Sequence, residues 1–163
     1  MLQTHPDIEV ICSVLPKIES EASRLRWAKN RPWTLKTHVW FENSLPMVDL
    51  HDLNAKLAKK SLQSILQAHS KIETGAICFI TGVGKNSNIK PAMRNMVLNL
   101  LHKAAQKNDW DVQLQGMGRV IIVFDPEKAP AAATGKLPKV FWFAVVGFIL
   151  LLLGSMFHSC WPK

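Results

Sequence analysis

Between Met47 and Phe124 the apolar residues switch repeatedly between an alternating and a helical spacing, and that order leaves few folds open. MVDLH alternates, with Val48 and Leu50 on one face and Asp49 and His51 on the other, which predicts a short strand. DLNAKLAKKSLQSILQAHSK has a helical period: Ala55, Ala58, Leu62, Ile65, Leu66 and His69 line one side, and Lys56, Lys59, Lys60 and Gln63 the other. AICFITGV is a continuous apolar run of buried-strand length, bounded by Gly75 and by Gly82-Val83-Gly84. A second helix is expected from Asn88, a good N-cap, with Pro91 tolerated in its first turn, through Val97, Leu98, Leu101 and Ala104. WDVQLQ and RVIIVF then flank Gly116-Met117-Gly118 as a hairpin. The order β-α-β-α-β-β over residues 47–124 predicts an α/β domain, a small two-layer sandwich with helices against one mixed sheet.

Residues 1–46 read as an N-terminal helical and extended segment. Ile8, Ile11, Leu15, Ile18, Ala22 and Leu25 have near-helical spacing interrupted by Pro16, so one or two short helices are expected. RPWTLKTHVWFENSLP reads as an extended connector lying on the domain. Trp27, Trp33 and Trp40 either stack on bases or pin this connector to the core, and pinning is the reading taken.

Residues 125–139, DPEKAPAAATGKLPK, have no core former beyond Leu137 and read as a tether. Val140 to Phe157 is a run of 18 residues without a charge. As a helix it spans ~27 Å, enough for a thin bilayer. Lys136 and Lys139 precede it, Trp142 and Trp161 lie near its two ends, and residues 158–163, HSCWPK, follow. The N-terminus lacks the basic start and apolar core of a secretory signal. The expectation is a single-pass tail anchor, with the main domain cytosolic and the endoplasmic reticulum and mitochondrial outer membrane both open.

The chain carries 20 Lys and Arg against 12 Asp and Glu, a net charge of +8, and only Lys163 among the cations lies beyond residue 139. The folded part is therefore basic and favours an anionic partner, nucleic acid or a lipid surface. Cys12, Cys78 and Cys160 show no C-x-x-C, which argues against a disulfide framework or zinc module, and Cys78 reads as a buried thiol. The glycine loop is no Walker motif, because Phe79 stands where its first glycine belongs and Asn86 where Ser or Thr belongs. The dinucleotide fingerprint also fails, for want of a third glycine. What remains is a glycine turn before a helix N-terminus, with Lys85, Lys90 and Arg94 adding charge: a phosphate site. A β-α-β connection requires parallel strands, so Asp49, His51 and the Gly82 loop should share one crevice at the strands' C-terminal ends.

VDLH at 48–51, ITGVGKNS at 80–87, IKPAMRNMV and the closing DVQLQGMGRVIIVF together resemble the Smr (small MutS-related) domain, over about Met47 to Phe124. The resemblance implies a fold similar to the C-terminal domain of bacterial translation initiation factor three. It also implies endonuclease cleavage of nucleic acid, RNA ahead of DNA, with a ribosome or RNA-processing complex as the setting. The family's Leu-Asp-x-His motif falls on Val48, Asp49, Leu50 and His51, and its Thr-Gly-x-Gly motif on Thr81, Gly82, Val83 and Gly84. The chain departs from the pattern at Asp52, where glycine is common, at Val83, where Arg or Lys is frequent, and at Asn86, where His is common.

On this resemblance His51 is the general acid or base and Asp49 its orienting or proton-sharing partner. Lys85, Arg94 and the N–H groups of Gly82 and Gly84 stabilise the charged transition state, with Lys90 and the Lys56, Lys59 and Lys60 face holding backbone phosphates. No metal is demanded, and a divalent ion such as Mg²⁺ stays open. The competing structural roles are a helix cap for Asp49 and backbone satisfaction for His51; His5, His38, His69 and His102 read as structural or surface residues. The competing functions are a membrane-anchored RNA-binding adaptor whose catalysis has decayed, and a protein whose basic face meets anionic lipid.

Overall fold

Pro16 divides the N-terminal segment into two helices, α1 (Pro6–Val14) and α2 (Pro16–Ala22), in a computed structural model that describes residues 5–82, 92–116 and 118–134. Each helix opens on proline, whose missing N–H has no intrahelical partner at that position anyway. Ile11, Leu15, Ile18 and Ala22 are buried. Asp7, fully buried, accepts the Glu73 N–H at 2.6 Å, the Thr74 N–H at 3.1 Å and the Thr74 hydroxyl at 2.6 Å. One carboxylate thus fastens α1 to a loop 66 residues away.

The expected connector is instead part of the sheet. A helical turn, α3 (Leu35–His38), leads into β1 (Val39–Glu42), which pairs antiparallel with β2 (Leu45–Asp49) from Val39↔Val48 to Glu42↔Leu45. Asn43 and Ser44 form the two-residue turn with φ of 51° and 62°, the left-handed pair that hairpins favour. No glycine marks this turn, and Val39–Glu42 is short and does not alternate, so nothing announces a strand. The boundary expected between residues 46 and 47 therefore falls inside β2, and the sheet has one strand more than βαβαββ.

The elements from α4 to β5 follow the expected order, α4 (Ala55–Gln67), β3 (Ala76–Ile80), α5 (Ala92–Asn108), β4 (Asp111–Gln115) and β5 (Arg119–Val123), and a short helix that was not expected, α6 (Ala131–Thr134), comes after them. The expected α5 start at Asn88 and Pro91 lies outside the described residues. The five-stranded sheet has the order β1-β2-β3-β5-β4, with β2 and β3 parallel, as a β-α-β connection requires. Val48, Ile77, Phe79, Val120 and Ile122 form its inner face, packed with residues of α1, α2, α4 and α5 in one core. On α4 the buried stripe is Leu57, Ala58, Ser61, Leu62 and Ile65, while Ala55, expected in the core, is exposed. Asn54 caps this helix by accepting the Leu57 N–H at 2.9 Å, and the following Leu57 then sets which side turns inward.

The opposite face of the sheet carries Leu45, Met47, Ala76, Cys78, Ile121 and Val123, covered in part by Ala133 of α6. Residues 125–134 are thus no free tether: alanines 129 and 133 are small enough to lie against strands, and Gly75 O accepts from the N–H groups of Phe124 and Asp125. Gly75 has φ +65°, and a Cβ there would sit 2.5 Å from Asp125 O. The span expected at 140–157, its flanks and the tail lie outside the described residues; among the described residues no helix is long and apolar enough to cross a membrane.

Candidate functional site

Where β2 ends, Leu50 and Leu53 are buried and the Leu50 N–H donates to Ile80 O at 2.8 Å, so the loop is drawn into the core at both leucines. His51, between them, is pushed outward, with 47% of its side chain exposed. Asp49 holds it twice: Oδ1 accepts the His51 backbone N–H at 3.0 Å and lies 2.6 Å from ring Nδ1. This is a side-chain-closed turn of the kind Asp makes readily. The cap of α4 is Asn54, so Asp49 is free of the capping role.

His51 and Gly82 lie side by side. Asp49 pairs in register with Ile80, and Gly82, two residues beyond, approaches so closely that a Cβ on it would lie 3.4 Å from the His51 Cβ. Gly118 comes up against Gly82 in turn, its own Cβ position being 3.1 Å from Gly82 C and O. Thr81 is buried and gives both its N–H, at 2.8 Å, and its hydroxyl, at 3.1 Å, to Gly118 O. Its hydroxyl therefore holds the loop to the turn before β5. Gly84, Lys85 and Lys90, with Val83 and Asn86, lie outside the described residues.

Two residues that sequence reasoning passed over complete the cluster. Asp52 Oδ2 lies 3.2 Å from His51 Nε2 and 3.4 Å from His38 Nε2, and His38 Nδ1 meets the Thr37 hydroxyl at 2.8 Å. Asp49, His51, Asp52, His38 and Thr37 thus form one continuous polar chain, both carboxylates being only 14% exposed. His38 is buried, as a structural histidine should be, yet it is coupled to the site through Asp52. The one available signal was Asp52 itself, a second carboxylate next to the Asp-x-His motif.

The N-terminal segment braces this chain. Trp33, 2% exposed, donates its Nε1–H to Asp49 O at 2.7 Å and lies 5.5 Å from the His38 ring. Trp27 donates its Nε1–H to Asp52 O at 2.9 Å. Trp33 is the pin that was expected, whereas Trp27 remains 42% exposed. Trp27, Asn30, Arg31, His51 and Asp52 line an open depression of about 320 Å³.

Of the other expected phosphate ligands, Lys56 and Lys59 are exposed, while Lys60 is engaged by Glu21 of α2 at 2.7 Å. That hydrogen bond holds the Glu21 carboxyl below its ordinary pKa. Arg94, on α5, is half-buried, and its Nε is buried without a hydrogen-bond partner among the described residues. Among the described residues no group of three or more His, Cys, Asp or Glu side chains is placed to hold a metal ion. Cys78 is buried in β3, where loss of solvation pushes its thiol up to about 11, with nearby Arg119 a smaller opposing influence.

A comparison with protein-family models, another with curated proteins and a third with solved structures each find no match to this chain.

Proposed function

We propose that this chain is an Smr-type endonuclease acting on nucleic acid, RNA ahead of DNA, and tethered to a membrane through residues 140–157. The observation that carries the reading is the attachment of exposed His51 to Asp49 beside Gly82, at the C-terminal end of a parallel strand pair. That is where open α/β sheets present chemistry. The mixed sheet with α1, α2, α4 and α5 on one face is compatible with a fold similar to the C-terminal domain of translation initiation factor three.

Phosphodiester cleavage needs a proton taken from the attacking oxygen and another given to the leaving oxygen. With Nδ1–H donated to Asp49, the neutral His51 ring keeps Nε2 as the base; once protonated, Nε2–H donates to Asp52 until it serves as the acid. Asp49 fixes the tautomer and supports the cation, and Arg94 of α5 would add positive charge. Lys85 and Lys90 would add charge from the adjoining segment. The residues present require no metal, and Mg²⁺ dependence is a matter for the assay.

A second reading, an RNA-binding adaptor without turnover, draws on Asp52: its carboxylate occupies the ring nitrogen that cleavage requires. The test uses the full chain in mild detergent with labelled single-stranded RNA and DNA, with and without Mg²⁺, beside Asp49→Asn and His51→Ala. Cleavage lost in both variants supports the nuclease. Salt-sensitive binding with no cleavage in any of the three supports the adaptor. Retention of the chain in carbonate-washed membranes, lost when residues 140–163 are removed, tests the tether.

A further inference from the structure

From Ala22 to Phe41 the chain holds five basic residues, Arg24, Arg26, Lys29, Arg31 and Lys36, and no acidic one. The fold delivers this stretch to His51. After α2 it winds through successive turns, with the Arg31 N–H donating to Trp27 O at 3.0 Å, a four-residue spacing that puts side chains 27 and 31 on one side. Both line the depression beside His51 and Asp52. At 320 Å³ it lies at the lower end of the size range of small-molecule sites.

Trp27 contrasts with Trp33. Each spends its N–H on a backbone carbonyl of the Asp-x-His loop, but Trp33 buries its ring and Trp27 leaves 42% of itself in solvent. An indole fixed at one edge and exposed elsewhere is a rigid platform, whose ordering cost is met before any ligand arrives. Arg31 makes no ion pair or hydrogen bond through its side chain among the described residues, so its charge is available. The two carboxylates are shielded at 14% exposure and turned onto His51 and His38, so a ligand meets Trp27, Arg31, Asn30 and His51 first.

We propose that this depression is a nucleotide subsite for single-stranded nucleic acid, in which an unpaired base stacks on Trp27 while Arg31 holds a flanking phosphate. A base inside a duplex offers no free face to Trp27, so the subsite selects single strands. The inference deepens the proposed function, and its placement of the strand beside a cutting residue rests on that reading.

The test measures binding of the full chain in mild detergent to a fluorescent ten-nucleotide RNA and to a hairpin of the same length. Trp27→Ala should weaken single-strand binding by about tenfold to a hundredfold. Trp27→Phe, which keeps a stacking ring but loses the N–H bond to Asp52, should stay within about threefold of the parent. Arg31→Gln should lower the slope of log affinity against log salt by about 0.7. A photoreactive thiouridine in the RNA should crosslink to the Trp27-Ala28-Lys29 tryptic peptide. Unchanged binding in Trp27→Ala, or an equal loss in Trp27→Phe and Trp27→Ala, overturns the subsite. Failure of the nuclease reads out separately: Trp27-dependent binding without any cleavage keeps the subsite, and His51-dependent cleavage with no effect of Trp27 removes it.

Discussion

Asp49 Oδ1 meets His51 at two atoms, the backbone N–H at 3.0 Å and ring Nδ1 at 2.6 Å. One oxygen thereby sets both where the loop turns and how the imidazole is oriented. Asp49→Asn preserves the shape but offers either a weaker acceptor or an N–H facing Nδ1, which favours the wrong tautomer. If His51 is the proton-transfer group, turnover should fall by about 10²–10⁴ while the midpoint of urea unfolding barely moves. Loss of turnover only in step with loss of folded protein would make Asp49 a structural residue.

Trp33 should be the main fastening of the N-terminal segment. Trp33→Ala removes a buried indole and should cost about 3–5 kcal/mol, whereas Trp33→Phe mainly leaves Asp49 O unpaired and should cost ~1–3 kcal/mol. Denaturant unfolding measures both. Near-equal costs would mean that the hydrogen bond to Asp49 outweighs the packing.

Asp7 is a buried carboxylate with three donors on it. In Asp7→Ala the Glu73 and Thr74 N–H groups lose their acceptor, at about 1–3 kcal/mol for each group left unpaired. Asp7→Asn keeps one acceptor oxygen and should recover part of that. Hydrogen exchange at the Thr74 amide should accelerate in the alanine variant; an unchanged rate would show that the amide finds another partner.

Gly118 has φ +94°, and a Cβ there meets the Gly82 backbone at 3.1 Å. Gly118→Ala should cost roughly 1–3 kcal/mol in backbone strain. It should also displace Gly82 from His51, so single-turnover cleavage at a temperature where the variant is fully folded should fall further than stability alone explains. Turnover equal to the parent at full folding would separate the β4–β5 turn from the site.

The Cys78 thiol, raised by burial from 9.0 to about 11, gives a pH signature. Its folded pKa lies above its unfolded one, so the contribution to stability is complete below about pH 9. It declines as pH rises from there toward 11, where the unfolded chain has lost the proton and the folded chain retains it. In a Cys12→Ser, Cys160→Ser background, alkylation of Cys78 at pH 8 should follow the unfolded fraction across a urea titration. Rapid labelling in the absence of urea would contradict its burial.

The alternation at Val48–His51, the apolar run of β3 and the lysine-bearing face of α4 were readable because each is a local period over enough residues to stand out. The parallel pairing of β2 with β3 followed from the helix between them, and with it came the approach of Asp49 and His51 to Gly82. β1 was not readable, because four residues without alternation and a glycine-free Asn43-Ser44 turn resemble a loop. Residues 125–134 were misread for a related reason: alanines carry little apolar signal, yet their small size lets a segment lie flat on a sheet.

By itself the sequence determined the order of elements from β2 to β5, the basic character of the chain and the Asp-x-His and glycine-loop positions, since these depend on neighbours along the chain. The tertiary structure alone decided that Trp27, Trp33 and His38, 14 to 25 residues from their hydrogen-bond partners, would converge on Asp49 and Asp52. It also decided that Asp7 would be buried against Thr74. Such contacts are made by side chains whose partners are distant in sequence, and their energy depends on burial that no local pattern encodes.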